Sequence, residues 1–296
     1  MNTKSQPRSG LPLALGAYLI WGLLPLYLRW VHDVPPFEFV GWRVIFTLPV
    51  CFAAIALRRQ WRPLRIALTS RRTMLTLAGS SLLIGGNWLV YIAAIQGGHL
   101  FAASLGYYIN PLANVMAGTL FLGERLTRRQ WLAVGLAAIG VSLLAWGAYD
   151  MLAISLALAI SFCGYGLVRK LAPVESLPGL TIESVILLLP ACLIVAYYAT
   201  LPGGSAIGQS AGKDLLVAGS GMVTAVPLLL FAAAARRMDY SALGMVQFLA
   251  PTIVFALGLF VFHEPLRPVQ LACFVLIWAA IAVFVADILL RRGVSP

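Results

Sequence analysis

Leu122-Gly123-Glu124-Arg125-Leu126 and Phe262-His263-Glu264-Pro265-Leu266 are two short hinges that lie 140 residues apart and read alike. At the same offset Ala102 falls on Ala242, Pro111 on Pro251, Gly118 on Gly258, Gln130 on Gln270 and Leu136 on Leu276. Two apolar helices match in places by chance. Pro, Glu and Gln all matching at one ungapped shift is a stronger coincidence, and it marks the chain as a tandem repeat.

Each hinge joins two long apolar runs. A helix needs about 20 apolar residues to cross a bilayer, because hydrocarbon offers no partner to a free backbone N–H or C=O. Runs of this kind cover residues 11–30, 36–57, 73–95, 101–122, 129–148, 151–168, 180–200, 214–235, 241–262 and 267–290. The repeats are then 11–148 and 151–290, with five helices each. Five is odd, so the second copy enters the membrane from the opposite side. The expected fold is an all-α integral membrane protein of ten transmembrane helices in two inverted five-helix repeats. Such repeats are a feature of secondary transporters, whose halves rock around a midplane site.

Composition points the same way. Of 296 residues, 61% are hydrophobic and 10% charged, against about 45–50% and about 25% in soluble domains. The net charge of +11 comes in bursts between apolar runs, which excludes a nucleic-acid-binding face and makes anionic lipid the expected partner. With the N-terminus inside, the inner segments hold Lys4, Arg8, Arg58, Arg59, Arg62, Arg65, Arg71, Arg72, Arg125, Arg128, Arg129, Arg169, Lys170, Arg236, Arg237, Arg291 and Arg292. The outer segments hold Arg29, Lys213 and Arg267. That bias puts both termini in the cytoplasm. The first run is too long for a signal peptide. Cys51, Cys163, Cys192 and Cys273 have neither metal-ligand nor redox spacing, and no cofactor or metal is expected.

Ala17-Tyr18-Leu19-Ile20-Trp21-Gly22, Trp42-Arg43, Asn87-Trp88-Leu89-Val90-Tyr91, Ser104-Leu105-Gly106-Tyr107-Tyr108-Ile109-Asn110-Pro111 and Gln247-Phe248-Leu249-Ala250-Pro251-Thr252 resemble the drug/metabolite transporter superfamily. Within it they resemble the RarD-type EamA proteins. The resemblance spans nearly the whole chain. It implies a central cavity and export or exchange of small metabolites or drugs across the bacterial inner membrane. The RarD label carries an association with chloramphenicol sensitivity, which names a phenotype and not a substrate.

Ionisable residues inside a membrane are functional candidates by default. Arg43 can grip a carboxylate or phosphate, or it can be structural; Glu38, five residues away, is off its helix face. Glu183 and Glu38 are candidates for proton handling, with an interfacial cap near Arg169 or Lys170 as the plainer role of Glu183. Ser104, Tyr107, Asn110 and Asn114 form one stripe with Pro111, read as a cavity wall or as interhelical glue. Gln247 and Pro251 take the places of Tyr107 and Pro111 in the second repeat. Asn87 and Tyr91 share a face, and Trp21, one turn before Pro25, can stack on a planar substrate or pack in the core. These residues make up the expected substrate site, for a small anionic or amphipathic molecule. Pro25, Pro111 and Pro251 are the expected hinge or gating positions. Glu124 and Glu264 read as helix caps that orient the next helix.

Two motif matches carry no chemistry. Gly208-Gln209-Ser210-Ala211-Gly212 fits the serine-hydrolase elbow but follows no strand, and Gly212-Lys213-Asp214 lacks the rest of a phosphate loop. An enzymatic role is not expected. A membrane-embedded enzyme needs carboxylates or histidines clustered near one face, and the outer segments offer only His32, Asp33, His99, Asp150 and Asp214. A non-transporting receptor or assembly module is the other rival.

Overall fold

The apolar runs become helices in the computed structural model, which describes residues 10–97, 99–146, 152–263 and 265–292. The helices are α1 (Leu11–Trp30), α2 (Pro36–Leu57), α3 (Trp61–Thr69), α4 (Arg71–Gln96), α5 (Leu100–Phe121) and α6 (Arg128–Trp146), then α7 (Leu152–Leu171), α8 (Ser176–Ala199), α9 (Ala211–Ala235), α10 (Tyr240–Gln247), α11 (Leu249–Phe260) and α12 (Pro268–Arg292). Among the described residues nine stretches are long and apolar enough to cross a bilayer. The 22-residue α5 is a further long helix. The chain is an all-helical membrane protein.

Three features depart from the expected spans. A short helix, α3, was hidden because nine residues with two arginines cannot cross a membrane. The run expected at 241–262 breaks at Phe248 into α10 and α11. Pro251 lacks the N–H that would bond the Gln247 carbonyl, and its ring crowds that carbonyl. The run expected at 180–200 starts a turn early, at Ser176, because Pro178 falls in the first turn, where no intrahelical N–H is lost.

Bonds between elements sort the loops into two ends. Gln60 Nε2 donates to Glu175 Oε2 (2.7 Å), Lys170 Nζ to the Met238 carbonyl (2.7 Å), and Thr127 Oγ1 to Asp287 Oδ2 (3.1 Å). Gly10 lies beside Met238. These contacts gather one end, which holds the bursts of arginine. At the other end Lys213 Nζ lies 2.7 Å from Asp33 Oδ2, and the Arg29 guanidinium stacks over Phe262. The Lys213 hydrogen bond holds the Asp33 carboxyl below its usual range. The hinges at Glu124 and at Phe262 therefore lie at opposite ends of the bundle.

The helices α1 and α9, α4 and α7, α5 and α7, α1 and α11, and α6 and α12 pack together, as do α2 with α8 and α9 and α5 with α10. Close approach uses small residues, as membrane helices require. A Cβ on Gly41 of α2 would stand 2.7 Å from Val195 of α8. The buried core runs through Tyr18, Ile55, Leu77, Tyr165, Phe231 and Leu243, with a second cluster around Val115, Ala137, Phe248 and Ile277.

Candidate functional site

Two turns into α2, Arg43 points into the bundle. Its Nε donates to Thr224 Oγ1 of α9 (2.9 Å). Its guanidinium stacks over Trp88 of α4 at 5.4 Å and over Phe39 at 5.9 Å, and Tyr27, Tyr91 and Tyr107 lie within electrostatic reach. Thr47, one turn on, bonds back to the Arg43 carbonyl. Two ion pairs form among the described residues, and neither includes Arg43. A guanidinium at this depth without a counter-anion is poorly solvated.

The tyrosines around it differ in burial, and Tyr27 donates its hydroxyl to the Leu216 carbonyl. Tyr91 and Tyr107 meet edge to face at 5.7 Å, yet Tyr107 remains 41% exposed. Arg43, Tyr91 and Tyr27 are half-buried, and so is Ser104, one turn before Tyr107. Arg43 lies near the start of α2, Tyr27 near the end of α1, Tyr91 near the end of α4 and Tyr107 near the start of α5. All four belong to the half of the bundle away from the arginine-rich end. The result is a cluster of aromatic rings around one cation that no carboxylate pairs among the described residues.

The other expected site residues are turned toward protein. Asn87 donates to the Leu158 carbonyl and to Ser161 Oγ, both at 2.9 Å. Asn110 donates to the Ala159 carbonyl (2.6 Å) and accepts from Gln247 Nε2 (2.6 Å). Asn114 donates to Gln247 Oε1 (2.7 Å), and Tyr18 reaches the same oxygen at 3.5 Å. In this conformation the buried network ties α4 to α7, and α5 to α7 and α10. Polar groups in hydrocarbon must bond to something, and here the partner is another helix. Trp21 packs against Tyr18, Phe162 and Phe231 with ring centroids 5.6–5.7 Å apart, as a core aromatic. Of the expected hinges, Pro251 adjoins the α10–α11 break, whereas α1 and α5 run on past Pro25 and Pro111.

The carboxylates separate into three roles. Glu183 is two turns inside α8 and fully buried. It pairs with Arg169 Nη1 at 3.5 Å, with neither side chain exposed by more than 2%. Ser80 Oγ donates to its Oε1 (2.5 Å), and the Tyr165 hydroxyl lies beside the carboxylate. Beside it lies an enclosed cavity of about 10 Å³, lined among others by Trp88, Thr224, Thr47 and Ser184, room for about one water. The cavity thus touches both Glu183 and the hydroxyl that holds Arg43. Glu38 is instead a clasp. Its Oε1 accepts from Trp42 Nε1 (3.0 Å), Ser205 Oγ (3.0 Å) and the Ala206 amide (2.7 Å), which pins the loop before α9.

Glu124 is a cap, but for a helix 116 residues away. Its two oxygens accept the Tyr240 amide (2.6 Å) and the Ser241 amide (2.8 Å) at the start of α10, where a negative charge is favoured. Gly118 makes room for it, since a Cβ there would overlap Glu124 Oε2 and Ser241 Oγ. Glu264 lies outside the described residues.

Sequence reasoning missed Thr224, Trp88 and Ser80 as partners. Thr and Ser are common in membrane helices, and nothing in their spacing points to a charge on another helix.

Comparison with known proteins gives this geometry a family. The EamA-like transporter family matches residues 8–146. Protein RarD of Salmonella typhi is 41% identical over 283 residues, covering 95% of this chain and 96% of that protein. An uncharacterized transporter of Pseudomonas aeruginosa is 42% identical over 285 residues, covering 95% and 94%. A solved structure titled "Crystal structure of protein" superposes with a TM-score of 0.73 at 20% identity, covering 94% of this chain and 97% of the other, which supports the fold alone. Identity above 40% along nearly the full length leaves one assignment: the chain is a multi-pass membrane protein of the EamA-like transporter family, a RarD-type member of the drug/metabolite transporter superfamily.

Proposed function

We propose that the chain is a secondary transporter that moves a small anionic or amphipathic molecule across the bacterial inner membrane by alternating access, as an exporter or exchanger. The observation that carries the reading is Arg43: a guanidinium inside the bundle, ringed by aromatic side chains, with no carboxylate paired to it among the described residues. A substrate anion supplies the missing charge through the free face of the guanidinium. The tyrosines offer flat apolar surface with hydroxyl edges.

The two moving bodies are the halves 11–148 and 151–290, the second inverted, with both termini cytoplasmic. Matching helix starts support this reading. Pro36 and Ser176, Arg71 and Ala211, Leu100 and Tyr240, and Arg128 and Pro268 are each 140 residues apart. So are the two left-handed hinge residues, Gly123 (φ 67) and His263 (φ 55). The packing of α1 on α9 and α11 mirrors that of α7 on α4 and α5. In this arrangement the arginine-rich end is cytoplasmic.

The driving gradient is of protons, carried by Glu183. A fully buried carboxyl held by Arg169 and Ser80, beside a small cavity that is also lined by Thr224, the partner of Arg43, suits a group that gains and loses a proton as the halves move. The names of the relatives favour transport over an enzyme or a passive module.

The test begins with a thermal-shift screen of organic anions and drugs on purified protein, since bound ligand stabilises the fold. Hits are then followed as flux into proteoliposomes. Arg43→Ala should insert and fold but lose both the shift and the flux; normal flux in that variant removes Arg43 from the site. Glu183→Gln should keep solute exchange and lose the response to a pH gradient. Unchanged gradient-driven flux would falsify proton coupling through Glu183.

A further inference from the structure

One element lies outside the matched set. The helix α3 has no counterpart in the second half, where residues 201–210 form a loop. Nothing in the transport cycle proposed above needs it, so its surface has another use.

The physical chemistry of α3 is specific. Leu64 and Ala67 are buried, and the helix packs on α4 and α8. Its outer face carries Arg62 and Arg65 with exposed Trp61, Ile66 and Leu68. Arg59, just before it, adopts a left-handed backbone (φ 54). Arg59, Trp61, Arg62 and Arg65 together line a shallow, open concavity on the surface. Neither ion pair among the described residues involves these three arginines. The Trp61 ring stacks on Phe52 of α2 at 6.3 Å and 18°, and Leu57 at the end of α2 is 86% exposed. One side of the concavity is therefore cationic, and the adjoining wall is aromatic and faces where acyl chains run.

We propose that Arg59, Arg62 and Arg65 bind the phosphate-bearing headgroup of an anionic phospholipid, whose glycerol and upper acyl chains lie against Trp61 and Phe52. A free phosphate would satisfy the arginines but leave that apolar wall unused. A zwitterionic lipid would satisfy the wall but bring its own cation. Three guanidiniums on one short interfacial helix, flanked by exposed apolar side chains, match an anionic amphiphile. The site is linked to the transport machinery. Gln60, between Arg59 and Trp61, bonds to Glu175, the N-cap residue of α8, and α8 carries Glu183. Headgroup binding thus steadies the start of the helix that holds the buried carboxyl.

The test uses full-length protein in phosphatidylcholine nanodiscs doped with brominated phosphatidylglycerol, or with brominated phosphatidylcholine at the same mole fraction. Quenching of Trp61 is read as the difference between wild type and Trp61→Phe. Phosphatidylglycerol should quench several-fold more than phosphatidylcholine, and each Arg→Gln change should bring that ratio closer to one. The triple Arg→Lys variant should retain most of it. Equal quenching by the two lipids overturns the proposal. So does loss of the preference on adding soluble glycerol phosphate, which would make the site one for a free phosphate. If the triple Arg→Gln variant does not fold, Arg65→Gln alone still decides: an unchanged preference also overturns the assignment.

Discussion

Gly118 and Glu124 illustrate how much hangs on single residues here. The carboxylate of Glu124 closes the start of α10 by accepting two backbone amides. It does so only because Gly118, one turn and a half back along the chain, has no side chain in that space. Loss of a helix cap costs about 1 kcal/mol. Gly118→Ala and Glu124→Ala should each lower the thermal midpoint of the purified protein by an amount of that order. The two losses should not add, because the first acts largely by displacing the second. Fully additive midpoints would separate Gly118 from the cap. The sequence announces part of this: a glutamate at a hinge, repeated 140 residues on, reads as a cap. It conceals which helix is capped, since local spacing suggests the next one and the fold selects α10. The same division holds for Arg43 and Glu183. The cost of a charge in lipid picks both out from sequence, and Arg169 or Lys170 is already named there beside Glu183, whereas Thr224 and Ser80 depend on which helices meet.

Between elements the deciding contact is the crossing of α5 and α10. Asn110, Asn114 and Gln247 exchange side-chain bonds of 2.6–2.7 Å across it, one residue before the break at Phe248. Hydrophobic periodicity finds this polar stripe without difficulty. It cannot say whether the stripe meets water or another helix, because both choices satisfy the same hydrogen bonds. That ambiguity is why the stripe reads from sequence either as cavity wall or as interhelical glue, while in this conformation Asn110, Asn114 and Gln247 bond across helices. Tyr91 and Tyr107, one helix face away, meet each other, and Tyr107 stays exposed. A double-mutant cycle on Asn114→Ala and Gln247→Ala, measured by denaturant unfolding in mixed micelles, should give a coupling of about 1 kcal/mol. Zero coupling would mean that the bond contributes nothing to holding the crossing together. Solute binding should survive both single changes, since neither side chain reaches the Arg43 cluster.

Across the whole molecule the two ends are unlike. The arginine-rich end is tied by cross-links between α7 and the segment after α9. Lys170 Nζ donates to the Ala235 and Met238 carbonyls, Arg236 Nη1 to those of Ala172 and Val174, and Glu124 holds the start of α10. The Arg43 cluster lies toward the opposite end, where Tyr107 is exposed. With the arginine-rich end in the cytoplasm, as proposed, the site lies toward the outside, which makes this an outward-open state in the proposed cycle. The two hinges then take opposite sides of the bilayer, and an impermeant reagent can tell them apart. Cys51, Cys163 and Cys273 are buried, so replacing the exposed Cys192 by Ser leaves a quiet background. In intact cells a cysteine at Arg267 should react with an external charged maleimide, and one at Arg125 only after the membrane is opened. A cysteine at Tyr107 should react from outside, and a tightly bound substrate should protect it. Labelling of both hinge positions from the same side would undo the inverted arrangement and with it the rocking cycle. Opposite labelling with an unreactive Tyr107 position would keep the topology and reject only the outward-open state.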